Sequence, residues 1–238
     1  MAHEITRQGF IIKFQDLGEA DLLLTFFSME EGKTRLVVKS AKKLTSRLAG
    51  RLQPVAELKV SLAGNGSLPK LIGVEVVQSY ALIMENEDGL AAIAGLQEFT
   101  NRTLPDAQPN QKLYEAYLAA LQELMKQPAE ASCVLARYYA RGLQALGLAP
   151  GMVEGLVTNQ SKLYLSHQDG RFALKASSAD DAPLSAELYH LYLQLLNDEP
   201  LRRKTSTELE TQLLQLLVGF AAYQLERPLR APEYFFRK

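Results

Sequence analysis

The chain has a single cysteine, Cys133, among 238 residues and no tryptophan. One thiol makes neither an internal disulfide nor a cysteine-based zinc site. A chain of this length buries roughly 70% of its unfolded surface and needs neither to hold a core. Net charge is nearly absent too, at −1 from 26 Lys and Arg against 27 Asp and Glu. The longest apolar run, 213–225, is interrupted by Gln215 and Gln224, and the first residues lack the apolar stretch of a signal peptide. These absences predict a cytoplasmic protein with no membrane partner.

Catalytic constellations are also missing. His3, His167 and His190 are scattered, without the i, i+4 spacing of metal ligands. Cys133 has no histidine near it in sequence and reads as a small buried hydrophobe rather than a nucleophile. Gly64-Asn65-Gly66 and Asp169-Gly170 suit hairpin turns, and neither belongs to a phosphate loop ending in Lys-Ser or Lys-Thr. Glu30-Glu31 and Asp180-Asp181 fall in polar turns, where solvated charge is the default. No catalytic residue, metal ligand or cofactor is predicted, which favours a binding protein over an enzyme.

What is present is an uneven distribution of charge and pattern. Residues 1–80 hold 11 basic and 8 acidic side chains, whereas residues 81–238 hold 15 and 19. Short apolar and β-branched blocks predict five strands near 5–14, 21–28, 33–40, 55–63 and 69–80. The strict alternation of Glu57-Leu58-Lys59-Val60-Ser61-Leu62 gives one wet and one buried face. Between the third and fourth blocks the period becomes four. Leu44, Leu48 and Leu52 form one row and Lys39, Lys43, Arg47 and Arg51 another, so a helical segment there turns leucines to the sheet with cations beside them. Gly50 and Pro54 oppose a long helix and leave a loop as the alternative. Three strands, a short helix and two strands is the order of a small OB-type barrel.

After Tyr80 the residues favour helix, near 88–103, 110–126, 130–146, 185–196 and 206–225, with two short strands over 161–175 around the Asp169-Gly170 turn. In the last helix Thr207 and Glu210 suggest a capping box, followed by a stripe of Leu209, Leu213, Leu216, Leu217 and Phe220. The predicted class is α+β. A five-stranded OB-type β-barrel over 1–80 precedes an α-helical domain over 81–238 that carries a small β-hairpin insertion.

The most informative stretch is 33–51. It holds Lys33, Arg35, Lys39, Lys42, Lys43, Arg47 and Arg51 and no acid. Clustered, uncompensated cations on a barrel are what phosphate binding needs, because each neutralised phosphate releases counterions. All seven are candidate nucleic-acid contacts, and the alternative is a solvated basic loop. Phe10, Phe14, Phe26 and Phe27 either stack on bases or fill the barrel. Arg137 and Arg141, four apart and near Tyr138 and Tyr139, are candidate partners for an acidic, apolar-ended peptide, with ordinary helix packing as the alternative. An OB-type RNA-binding accessory factor and a protein-only adaptor remain competing functions.

Three segments carry a family resemblance: Leu17-Gly18-Glu19-Ala20-Asp21-Leu22-Leu23-Leu24-Thr25-Phe26-Phe27, Glu31-Gly32-Lys33-Thr34-Arg35-Leu36-Val37-Val38-Lys39-Ser40-Ala41-Lys42, and Leu48-Ala49-Gly50-Arg51-Leu52-Gln53-Pro54. In this order they resemble the RecO family, whose members show (G/S)E-x-D-LLLT-x-F, GK-x-R-x-VAKGARR and L-x-G-x-LQPF. The likeness continues more weakly through Leu146-Gly147-Leu148-Ala149-Pro150 to Arg227-Pro228-Leu229-Arg230-Ala231-Pro232. Two departures stand out. Ser40 replaces the glycine of AKGAR, and the four zinc-binding cysteines that many relatives carry after LGL-x-P are absent, which leaves a metal-free hairpin near 161–175. The resemblance implies binding of single- and double-stranded DNA and annealing of complementary strands. It also implies recognition of the C-terminal tail of single-stranded DNA-binding protein and, with RecR, help in loading RecA.

Overall fold

The computed structural model describes residues 4–64, 68–197 and 206–237. His3 and the Asn65-Gly66 turn lie outside them. The described residues divide into two compact units. One comprises the chain up to Asn86 together with Gln97–Glu115, and the other comprises Glu87–Leu96 and the chain from Ala116 onward.

In the first unit β1 (Glu4–Leu17), β2 (Asp21–Ser28), β3 (Gly32–Val38), β4 (Ala56–Ala63) and β5 (Lys70–Ser79) close a barrel in the order β1-β2-β3-β5-β4. Every contact along it is antiparallel except β3 with β5, which meet in parallel at the pair Val37 and Lys70. The alternation predicted for β4 is realised: Ala56, Leu58, Val60 and Leu62 are buried and Lys59 is exposed. Together with Ile11, Leu24, Phe26, Leu36 and Val38 they fill the interior.

A second apolar layer lies on the outer wall. It is formed over α1 (Glu87–Thr103) and α2 (Gln111–Lys126), whose facing ends belong to the first unit. The Tyr114 ring lies 5.6 Å from Phe10 and 5.4 Å from Phe27, and its hydroxyl donates to Glu57 at 3.0 Å. Gln97 donates to the carbonyls of Ile11 and Pro54. Bulges set which side chains leave the interior. β5 skips Ile72 and Val77 in its pairing with β4, and both of these apolar residues are exposed.

In the second unit α3 (Ala131–Ala145) is buried along most of its length and packs against α4 (Ala186–Leu196) and α5 (Thr207–Gln224). The predicted hairpin is present as β6 (Lys162–Ser166) and β7 (Arg171–Ala173), with Gly170 at φ +63° in the turn. It is joined by β8 (Ala182–Ser185), giving the order β7-β6-β8. The sequence concealed β8 because its four residues include Pro183 and run straight into α4, where Ser185 caps the helix by accepting from the Leu188 amide. A short α6 (Glu233–Phe236) also went unpredicted.

The α5 expectation needs two corrections. Its cap is Ser206, accepting from the Leu209 amide at 3.2 Å, rather than Thr207. The buried stripe is Leu213, Leu214, Leu217, Val218, Phe220 and Ala221, so Leu209 and Leu216 lie at its margin. No helix among the described residues is long and apolar enough to cross a membrane.

The loop after β7 is closed by Asp181. Its carboxylate accepts from the Ser177 and Ser178 amides at 2.6 and 3.0 Å and from the Ser177 hydroxyl at 3.0 Å. The Ser177 hydroxyl also reaches Asp169 at 2.8 Å. No cysteine lies in this loop, so its donor set does not fit the four-cysteine zinc site. Among the described residues no group of three or more His, Cys, Asp or Glu is placed to hold a metal ion. Burial pushes the Asp181 carboxyl up, but the Ser177 and Ser178 bonds outweigh it and hold it below its ordinary value of 3.8. A depressed folded pKa stabilises above the unfolded value and is lost as pH falls through the folded one. Asp181→Asn should therefore be less stable than the wild type at neutral pH, with the difference shrinking in urea titrations below about pH 4.

Candidate nucleic-acid interface

The basic stretch begins inside the fold. Gly32 takes φ +67° and its α-carbon lies against the backbone of Gln108 in the loop joining α1 to α2. Lys33 pairs in parallel with Asp106 of that loop. The Lys33 ammonium, only 13% exposed, donates to the Asn101 carbonyl at 2.7 Å and lies 3.3 Å from Asp106. Lys33 is thus a structural clamp between barrel and loop, with its ammonium turned to protein acceptors. Arg35 is well exposed, with Asp106 at 3.7 Å.

Beyond β3 the chain turns sharply at Ser40, φ +55°. The Asp21 carboxylate organises this turn, accepting from the Lys39 ammonium at 2.6 Å and the Ser40 amide at 2.8 Å. The Lys39 hydrogen bond, then that of Ser40, holds the Asp21 carboxyl below its ordinary value. The family glycine at this position now has a reason: the left-handed region costs an L-residue about 1–2 kcal/mol and glycine nothing. Ser40→Gly should stabilise the protein by about 0.5–1 kcal/mol in chemical unfolding, the glycine's extra unfolded-state entropy offsetting part of the relief.

The next residues run along the β1–β2 turn. The Lys42 amide donates to Ala20 at 2.9 Å, and its ammonium lies 2.7 Å from Asp16 and 3.3 Å from the Gly18 carbonyl. Residues 41–48 form turns, and only Ala49–Arg51 makes a single helical turn of the tighter, three-residue kind. The period-four rows therefore do not become stripes. Leu52 and Leu48 pack on the barrel interior, whereas Leu44 is fully exposed. The Ser46 hydroxyl accepts from the Ala49 amide, a local bond that competes with helix. Lys43, Arg47 and Arg51 are exposed and make no ion pair within 4 Å among the described residues, although the Lys43 charge helps hold the Asp21 carboxyl down. The candidate cations thus divide by partner. Lys33 is committed to the fold, Arg35, Lys39 and Lys42 are paired at the surface, and Lys43, Arg47 and Arg51 are open.

Sequence reasoning missed the carboxylates Asp16, Asp21 and Asp106 that make this division. Only Asp21 carried a signal, as one of the two acids of the first motif. Of the four phenylalanines, Phe26 fills the barrel and Phe10 and Phe27 lie under Tyr114, which removes them as stacking faces. Phe14 alone is exposed, at 37%.

In the second unit Arg137 and Arg141 line a narrow crevice with Ala116, Ala120, Val134 and Tyr138. Arg137 pairs with Glu123, and Arg141 donates to the Leu195 carbonyl at 3.2 Å. Burial, then the adjacent charge of Arg137, pulls the Arg141 guanidinium below its ordinary value. Cys133 is buried, with burial and then Glu210 pushing its thiol up to about 12, which suits a packing residue and not a nucleophile. His167 packs on Phe220 and Tyr223, and His190 lies on α4 beside Tyr189.

The fold defines the class: an OB-type barrel protein with an appended helical unit. Residues 1–80 match the family described as Recombination protein O N terminal, and residues 85–233 match Recombination protein O C terminal. The chain belongs to the RecO family. A protein of Desulforamulus reducens named DNA repair protein RecO is 26% identical over 96% of this chain and 93% of its own length. One of Bifidobacterium longum with the same name is 27% identical over 94% and 95%. Another, of Verminephrobacter eiseniae, is 28% identical over 88% and 87%.

Proposed function

We propose that this protein acts in DNA repair and recombination by binding single- and double-stranded DNA on its barrel. The supporting observation is the set of exposed cations left open in the segment between β3 and β4, Lys43, Arg47 and Arg51, with Arg35, Lys39 and Lys42 exchanging their carboxylates for phosphate. Contacts of this kind hold the backbone and read little sequence. Two strands neutralised on one surface repel each other less, and their Watson–Crick edges stay free to pair, which gives a physical route to annealing. With RecR, the same surface helps place RecA on DNA coated by single-stranded DNA-binding protein, and it keeps the protein with the nucleoid.

A fluorescent single-stranded oligonucleotide titrated across a salt series tests this reading. If about four cations engage, log affinity falls with log salt at a slope near −3. Reversing the charge of Lys39, Lys42, Lys43 and Arg47 together removes binding. Affinity independent of salt, or equal binding by the variant, overturns the proposal, and a preference for matched RNA would favour the accessory-factor reading.

The α2–α3 crevice supports a second contact. Its half-buried arginines suit the carboxylate of the acidic, apolar-ended tail of single-stranded DNA-binding protein, which would take Arg137 from Glu123 and lie over the crevice, whose alanine, valine and tyrosine walls are buried. Replacing Arg137 and Arg141 with alanine should weaken tail-peptide binding at least tenfold by fluorescence anisotropy, and unchanged affinity removes them from the site.

A further inference from the structure

Leu44 stands out on this surface. It is fully exposed, although its period-four neighbours Leu48 and Leu52 both pack on the barrel interior. It is not at the end of a loose segment. Ser46 donates its amide to the Lys43 carbonyl at 2.9 Å and Lys43 donates to Ser40 at 3.2 Å, so Leu44 sits inside a hydrogen-bonded turn. Lys42, immediately before that turn, is bonded to the β1–β2 turn through Ala20 and Asp16. The fold therefore holds a large apolar side chain out in water, forgoing the roughly 1.5–3 kcal/mol that burying a leucine contributes. Lys43 precedes it directly and Arg47 follows three residues later, both open.

An exposed leucine bracketed by two exposed cations, neither in an ion pair within 4 Å, matches a ligand that is flat and apolar in one part and anionic on either side. An unpaired nucleobase between its two phosphates has that chemistry. We infer that Leu44 packs against the face of an unpaired base while Lys43 and Arg47 hold the flanking phosphates, which makes this turn a contact that prefers single strands to duplex. The inference rests on the DNA-binding reading above and adds to it a base contact that phosphate binding alone does not supply. It is compatible with annealing, because a base held by its face still offers its edge for pairing.

Wild type and Leu44→Ala are titrated with an oligothymidylate and with an abasic oligonucleotide of the same length, which keeps the phosphates and lacks the bases. Leu44→Ala should bind oligothymidylate about fivefold more weakly, from the apolar area a leucine loses to water. Its affinity for the abasic strand and its salt slope should match the wild type. Because the chain has no tryptophan, Leu44→Trp supplies a sole indole, whose fluorescence should be quenched by oligothymidylate and not by the abasic strand. Equal losses on both strands, or no loss on either, overturn the base contact while leaving DNA binding intact. Failure of the wild type to bind either strand is instead the failure of the DNA-binding reading. Binding to anionic phosphatidylserine vesicles that Leu44→Ala abolishes, with oligonucleotide affinity unchanged, would assign the side chain to a lipid surface and overturn the inference.

Discussion

Gly32→Ala is expected to lower stability by about 3 kcal/mol or more, enough to unfold a substantial fraction of a marginal domain. Two costs act together. Gly32 lies at φ +67°, where a side chain costs about 1–2 kcal/mol. A β-carbon there would also sit 2.1 Å from the Gln108 carbonyl oxygen, and both contacting groups are backbone, so neither swings aside. Relief requires moving the α1–α2 loop off β3, which breaks the Ala107 amide bond to the Lys33 carbonyl, 2.8 Å, and the Lys33 ammonium bonds. Gly18→Ala provides the comparison. Gly18 has φ +65° with nothing within 4 Å of its prospective β-carbon, so it should show the backbone cost alone, about 1–2 kcal/mol. Urea unfolding followed by circular dichroism measures both. Equal losses in the two variants would remove the steric part of the argument.

The contrast between these glycines shows what a sequence makes legible. Both glycines lie at turns between successive strands, where glycine is the ordinary punctuation. That Gln108 presses on one and nothing presses on the other depends on a contact far along the chain. The same holds for the strands. Alternation in β4 was readable because each side chain answers to one face of one strand. Phe10 and Phe27 were ambiguous because their outer wall is covered by Tyr114, and the bulges that expose Ile72 and Val77 shift register without a pattern of their own. Leucines and cations four apart between β3 and β4 suggested stripes, but the left-handed Ser40 and the local bonds of Ser46 make turns instead.

The seven cations of 33–51 looked equivalent in sequence, and their carboxylate partners make them unequal, with measurable consequences. Replacing Lys43, Arg47 and Arg51 with alanine should reduce the magnitude of the single-strand salt slope by about 2 and weaken binding roughly a hundredfold near 0.1 M salt, since each phosphate contact contributes about 0.7 to the slope. These side chains give up no ion pair, so stability should remain within about 0.5 kcal/mol of the wild type. Lys33→Met should do the reverse. Its ammonium faces the Asn101 carbonyl 68 positions away and Asp106 beside it, and removing it leaves that carbonyl without its donor at a cost of about 1–3 kcal/mol, while the exposed Asp106 keeps Arg35. DNA affinity and slope should not change, because a lysine so enclosed neutralises no phosphate. Stability by urea titration and affinity across a salt series, measured on both variants, separate the two roles. A fall in slope with Lys33→Met would return that residue to the interface, whereas an unchanged slope in the triple variant would move the phosphates away from the segment between β3 and β4 altogether.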